Sequence, residues 1–311
     1  AAGLWLLGSA GTAAWGQTDA QYVRYWKQEW PVTDFSKSSV DFSEILHGGP
    51  PKDGIPPIDE PAFVSVTEAN AVLADREPVI GLVVNGEAKA YPLQVLMFHE
   101  IANDTIGGVP VTVTFCPLCN AAIVFDRRVN GHILDFGTTG KLRHSDLVMW
   151  DRQTESWWQQ FLGEAIVGEM TGTRLTMIPS RLESWARFRA RAPEATVLVP
   201  NGRHQRSYGG NPYLNYDSSA RPFLYRGEMP SGIPPLMRVV TLAERGAWSL
   251  DFMKRNRTVH LDDGTTIRWE PGQASALDSG EIAEGRDVGN FTVTRFENGR
   301  EVDVQHGVDF V

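Results

Sequence analysis

Two cysteines are all that this 311-residue sequence contains. A rubredoxin or zinc-ribbon site takes two Cys pairs, so neither can form here. No stretch reaches the ~20 consecutive apolar residues that a membrane-crossing helix needs, so no span is expected in the mature chain. Cationic clusters are missing as well: Lys and Arg total 29 against 38 for Asp and Glu, a net charge of −9. A nucleic-acid-binding face concentrates Lys and Arg to displace counterions, so nucleic acid is not expected as a partner. The nearest basic run, Arg181 to Arg191, reads as the solvated face of a short helix. Three cofactor and nucleophile signatures are absent too. Asn120 stands where covalent haem needs His after the second Cys. Gly137-Thr138-Thr139-Gly140-Lys141 lacks the glycine spacing of a phosphate loop, so no nucleotide is expected. Ser156 has no Gly-x-Ser-x-Gly setting.

What is present suits a soluble globular protein. Apolar residues make up 42% and charged residues 22%, enough for a large core in one or two domains. Residues 1–16 resemble the end of a secretory signal, with Leu4-Trp5-Leu6-Leu7 before the small-x-small triplet Ala14-Trp15-Gly16. That predicts export, to the periplasm or outside the cell, into an oxidising compartment where two cysteines could pair. Residues 17–75 read as an extended arm that packs Trp26, Trp30, Phe35 and Phe42 on the main body.

The patterning predicts an α+β, β-rich fold of mixed and antiparallel sheets with few short helices. Asn85-Gly86 between Val79–Val84 and Ala88–Tyr91 predicts a hairpin, and Asn130-Gly131 predicts another. Pro92 suits a first helical turn, with Leu93, Leu96, Met97 and Ile101 as the apolar stripe. Ser180-Arg181-Leu182-Glu183 reads as a capping box opening a second helix. The motif-bearing half spans 76–200 and a Gly/Pro/Tyr-rich connector spans 201–235. Residues 236–311 read as a second, degenerate and truncated half, giving two pseudo-repeats. In that alignment Glu270-Pro271-Gly272-Gln273 falls where Cys116-Pro117-Leu118-Cys119 stands, so the second copy lacks the thiols.

Cys116-Pro117-Leu118-Cys119 is the most chemically pointed feature. Two cysteines two residues apart can chelate one metal, close a small disulfide or exchange thiols. The segment after them, Ala121–Phe125, reads as a strand, which argues against a thioredoxin-like helix N-terminus. For a metal the candidate ligands are Cys116, Cys119 and, third, His99, with copper or zinc as the ion. Met149 could complete a soft site but reads as core, and His144 reads as an exposed loop residue. Glu100 and Arg152 would stand behind the ligands or face a substrate. Arg152 and Glu155, in the polar run Asp151–Gln160, are weak catalytic candidates, as an anion grip and an acid or base. Three functional readings stay open: a small metal site, a dithiol/disulfide redox enzyme, and a non-catalytic binding module with a structural disulfide.

Several stretches carry a resemblance. They include Tyr91-Pro92-Leu93, His99-Glu100-Ile101-Ala102-Asn103-Asp104, Thr114-Phe115-Cys116-Pro117-Leu118-Cys119 and Phe136 to Leu142. Asp146 to Trp158 and Asn211-Pro212-Tyr213 continue the series. In order and spacing they resemble the bacterial family catalogued as domain of unknown function 3179. The resemblance implies no settled activity. It implies that the His-Glu and Cys-x-x-Cys motifs belong together, and that position 144 is usually a polar residue such as Asn, where this chain has His144. It also implies that family members often continue beyond a stretch like Gly307-Val308-Asp309-Phe310.

Overall fold

The computed structural model describes residues 20–242 and 245–304. The proposed signal remnant, residues 1–16, lies outside the described residues. The fold is β-rich, with several mostly antiparallel sheets and few short helices. Among the described residues no helix is long and apolar enough to cross a membrane, a finding that does not bear on strands.

Three sheets stack in the first two hundred residues. The middle one runs Met177–Ile178, Ala121–Asp126, Val109–Cys116, Ile101–Ile106. Its strands are almost wholly buried because both faces are covered. Side chains alternate across a strand. Val111, Val113 and Phe115 therefore enter one core with Ile80, Leu82 and Tyr91. Cys116 points to the other face, where Ile123, Phe125, Phe136, Leu147, Met149 and Trp158 form a second core. That face meets an antiparallel sheet ordered Ile45–His47, Phe136–Arg143, Asp146–Asp151, Trp157–Gln159, Glu164–Val167. The opposite face meets a third sheet containing Pro78–Val84 and Glu87–Pro92, whose one parallel pair joins Thr196–Val199 to Glu87–Pro92.

The two hairpin signals place turns correctly: Asn85 and Asn130 both take positive φ before a glycine, and Asn298 does the same in a third turn. Two helix readings change. The turn after Pro92 is helical only over Leu93–Leu96, and Glu100, at φ 58°, turns the chain into the strand Ile101–Ile106. Ile101 is thus a strand residue. Ser180–Ser184 is a strand rather than a capping box, because its backbone pairs with Pro78–Val84, and the helix is Trp185–Arg191.

Trp26, Trp30, Phe35 and Phe42 form a core with Trp150 and Trp157, with ring centroids of Trp26 and Trp157 5.0 Å apart. The expected arm also supplies structure of its own, the edge strands Ile45–His47 and Ala62–Ser65. Beyond the connector come a hairpin, Val239–Leu242 with Gly246–Ser249, a helix, Leu250–Asn256, and a four-stranded antiparallel sheet. The first half has the same order of hairpin, short helix and meander. The second half differs where the cysteines stand in the first, since strands Thr265–Glu270 and Asn290–Glu297 are joined by a long excursion instead of a tight turn.

A strap of residues 48–54 crosses the bulge between Thr138 and Lys141. Gly48 N donates to Gly140 O at 2.8 Å and Asp53 N to Thr138 O at 2.8 Å. Gly140 has φ +68°, and a Cβ there would lie 1.8 Å from Pro50 O. Gly140→Ala is therefore expected to cost about 2–4 kcal/mol in urea unfolding, from strain and displacement of the strap. An unchanged midpoint would show that the strap yields freely.

Candidate metal centre

Cys116 ends its strand opposite Ala121, so the two cysteines and Pro117, Leu118 and Asn120 make a tight hairpin end. Asn120 sits at φ 49°, a left-handed conformation that Asn tolerates better than most residues. The reversal leads into the strand Ala121–Asp126, as the sequence predicts, so neither thiol caps a helix. Cys116 is 1% exposed, and Cys119 is partly buried beside a cavity.

A second turn comes to meet this one. Arg143 pairs with Asp146, and the two residues between them, His144 and Ser145, have φ values of 54° and 70°. Two positive φ values make the tight turn that matches strand twist, usually built from Asn-Gly. This explains why Asn suits position 144, and His is among the residues that also tolerate the conformation. The turn places Ser145 O 3.9 Å from Cys116 Sγ. It also places Asp146, 4% exposed, where the Cys119 thiol donates to its Oδ1 at 3.3 Å. Phe161 N donates to Oδ2 at 3.0 Å and holds the carboxyl in place. Donor atoms of Cys116, Cys119 and Asp146 all lie within 4.8 Å of one another. A tetrahedral zinc site with ~2.3 Å sulfur bonds has ligand atoms roughly 3.8 Å apart, so small side-chain rotations would close this group on an ion.

The electrostatics are those of acids crowded out of water. Burial, then Cys116 and the Asp146 charge, push the Cys119 thiol well above its ordinary range. Burial raises Asp146 from 3.8 to about 6 against the pull of its hydrogen bonds. Burial raises Glu100 from 4.5 to about 8, with Asp146 adding repulsion. Among the described residues none of the three is ion-paired to Lys or Arg.

The structure does not bring His99 into this group. Its Nδ1 faces Pro56 O at 2.7 Å and its Nε2 faces Tyr208 Oη at 2.8 Å, so both ring nitrogens are engaged. The helix ends at Leu96, and the left-handed Glu100 then turns the chain into its strand, with its carboxyl close enough to feel the Asp146 charge. Glu100 does stand near the group. Arg152 and Glu155 do not: they fasten the arm. Arg152 reaches Asp59 at 2.9 Å, while Glu155 accepts from Lys52 Nζ at 2.7 Å and from Val32 N at 3.1 Å. Met149 is core. Asp146 escapes the sequence reading, although an acid heading the apolar run Leu147-Val148-Met149-Trp150 is a signal for a buried, purposeful carboxyl.

Two cavities flank the site. One, about 320 Å³, is lined by Cys119, His144, Ser145 and Tyr216 together with Arg238 and Leu277 from the second half. The other, about 330 Å³, contains Glu100. Leu118 and Tyr216 border both, and Tyr216 Oη donates to Leu118 O at 2.9 Å.

The raised acids set a pH dependence. A folded-state value above the unfolded one means that the native state keeps a proton the unfolded chain has released. Stability is then full at low pH and is lost as pH rises through about 6 for Asp146 and about 8 for Glu100. For Glu100 the loss is on the order of 5 kcal/mol. Metal-free protein is expected to show this decline in denaturant unfolding, and Glu100→Gln to flatten its upper part. A decline identical in Glu100→Gln would contradict the assignment.

No curated protein and no solved structure matches the chain. The resemblance noted in the sequence is confirmed by a family model, described as a protein of unknown function (DUF3179). It matches residues 52–309, which include both turns and most of the lining of both cavities, and the chain belongs to that family.

Proposed function

We propose that this protein binds one zinc ion through Cys116, Cys119 and Asp146. The observation that carries the reading is the convergence of two thiols and a carboxyl within 4.8 Å, largely buried and, among the described residues, with no Lys or Arg paired to them. Buried acids without counter-charge favour their neutral forms; a divalent cation reverses this by stabilising the thiolates and the carboxylate together. A carboxylate as third donor favours zinc over copper(I), which prefers thiolate and thioether. Three protein ligands and a fourth position open to a cavity is the pattern of zinc sites that act on a bound water or substrate. Cys119, which lines the cavity of about 320 Å³, marks the side from which a fourth ligand would come.

A dithiol enzyme fits less well. Neither cysteine lies at a helix N-terminus, and burial raises the Cys119 thiol instead of lowering it, which suppresses the attacking thiolate. Export belongs to the same proposal. It is supported by the apolar run Leu4–Leu7 and the triplet that follows it.

Protein purified without a metal-affinity step is expected to carry about one zinc per chain by elemental mass spectrometry. Cys116→Ala and Cys119→Ala should abolish binding, and Asp146→Asn should weaken it at least about 10-fold. Metal-free protein with no reactive thiols would overturn the reading in favour of a disulfide. One equivalent of copper in place of zinc would overturn the choice of ion.

A further inference from the structure

Glu100 has no structural partner to explain it. Its backbone is fully used, with N donating to Leu96 O at 2.7 Å and O accepting from Phe115 N at 2.8 Å. Its φ of 58° is a conformation that Gly or Asn would adopt at lower cost. Its carboxyl is buried, and among the described residues no hydrogen bond reaches it. A buried polar group without a partner is destabilising and rare. Here it lines the cavity of about 330 Å³, whose other walls include Ile55, Leu118, Leu142, Leu147, Tyr213 and Phe223.

The lining defines what would fit. Lys141 also borders the cavity, but its ammonium is taken by Glu29 at 3.3 Å and lies 5.1 Å from the ring centres of Trp30 and Trp157. No free cation is therefore offered to an anionic ligand by the described lining. The walls are apolar and partly aromatic, and the volume is at the small end for ligand pockets.

We propose that this cavity binds an uncharged, ring-containing small molecule whose carbonyl group hydrogen-bonds with the Glu100 carboxyl. Tyr213 and Phe223, both from the connector, pack on its body. At neutral pH the carboxyl keeps its proton and serves as the donor, consistent with its raised range. The site does not depend on the zinc reading, because neither Cys116 nor Asp146 lines this cavity.

The test uses 6-propionyl-2-dimethylaminonaphthalene, an uncharged ketone whose emission shifts to the blue in apolar surroundings. The full chain is expected to bind one equivalent saturably. 2-Dimethylaminonaphthalene, lacking the carbonyl, should bind at least about 5-fold more weakly despite being more apolar. Glu100→Ala should erase that difference, Glu100→Gln should retain it, and Leu142→Trp, which fills the cavity, should abolish binding of both. Equal affinity for the two probes on the unmodified protein would overturn the proposal without recourse to any variant, and so would binding that survives a folded Leu142→Trp. Repeating the titration after a chelator has removed any bound metal separates the two readings: probe binding is expected to be unchanged, whether or not metal was present.

Discussion

Cys116, Cys119 and Asp146 are acids held together largely out of water, with Glu100 close enough to feel the Asp146 charge, and among the described residues no Lys or Arg pairs with them. Desolvation, joined at Glu100 by repulsion from Asp146, raises both carboxyls above the ordinary range. Such an arrangement is costly in the bare protein and becomes favourable when a cation enters, because the ion replaces the protons of Cys116, Cys119 and Asp146 and satisfies those three donors together. The rest of the local architecture can be understood as what is needed to hold those groups in place against their mutual repulsion.

Alternation along a β-strand does most of the placing. Val111, Val113 and Phe115 anchor one face of the middle sheet, which sends Cys116 to the face where the sheet containing Asp146 lies. Two tight turns then meet end to end, Pro117–Asn120 from one sheet and His144–Ser145 from the other. Left-handed residues cluster here: Glu100, Asn120, His144 and Ser145 all have positive φ. Backbone strain of this kind persists only where the surrounding packing dictates it, and functional sites are where it gathers. The strap over Gly140 and the connector residues Tyr213, Tyr216 and Phe223 wall the cavity holding Glu100. Arg238 and Leu277 bring the second half into the neighbouring cavity. Residues after the connector thus help to build the surroundings of the site.

Much of the fold was legible because its signals are local. Asn-Gly turns at 85–86, 130–131 and 298–299 require positive φ at both residues, and few other contexts favour that pair. The strand after Cys119 could be read from Ala121-Ala122-Ile123-Val124-Phe125. Other features depended on contacts distant in sequence. Ser180–Glu183 looks like a helix cap until Pro78–Val84 takes its backbone donors. His99 looks like a ligand until the helix proves to be one turn long and Tyr208 and Pro56 claim the ring. Asp146 lies 27 residues beyond Cys119, and nothing short of the sheet packing reveals that they touch. The Cys pair itself was plain, whereas its third donor was a property of the tertiary structure.

The most direct test of the account is X-ray absorption at the zinc edge on protein as purified. The account predicts two sulfur scatterers near ~2.3 Å and lighter scatterers near ~2.0–2.2 Å, with the sulfur shell lost in Cys116→Ala. A spectrum with no sulfur shell, or one unchanged by Cys116→Ala, would contradict it.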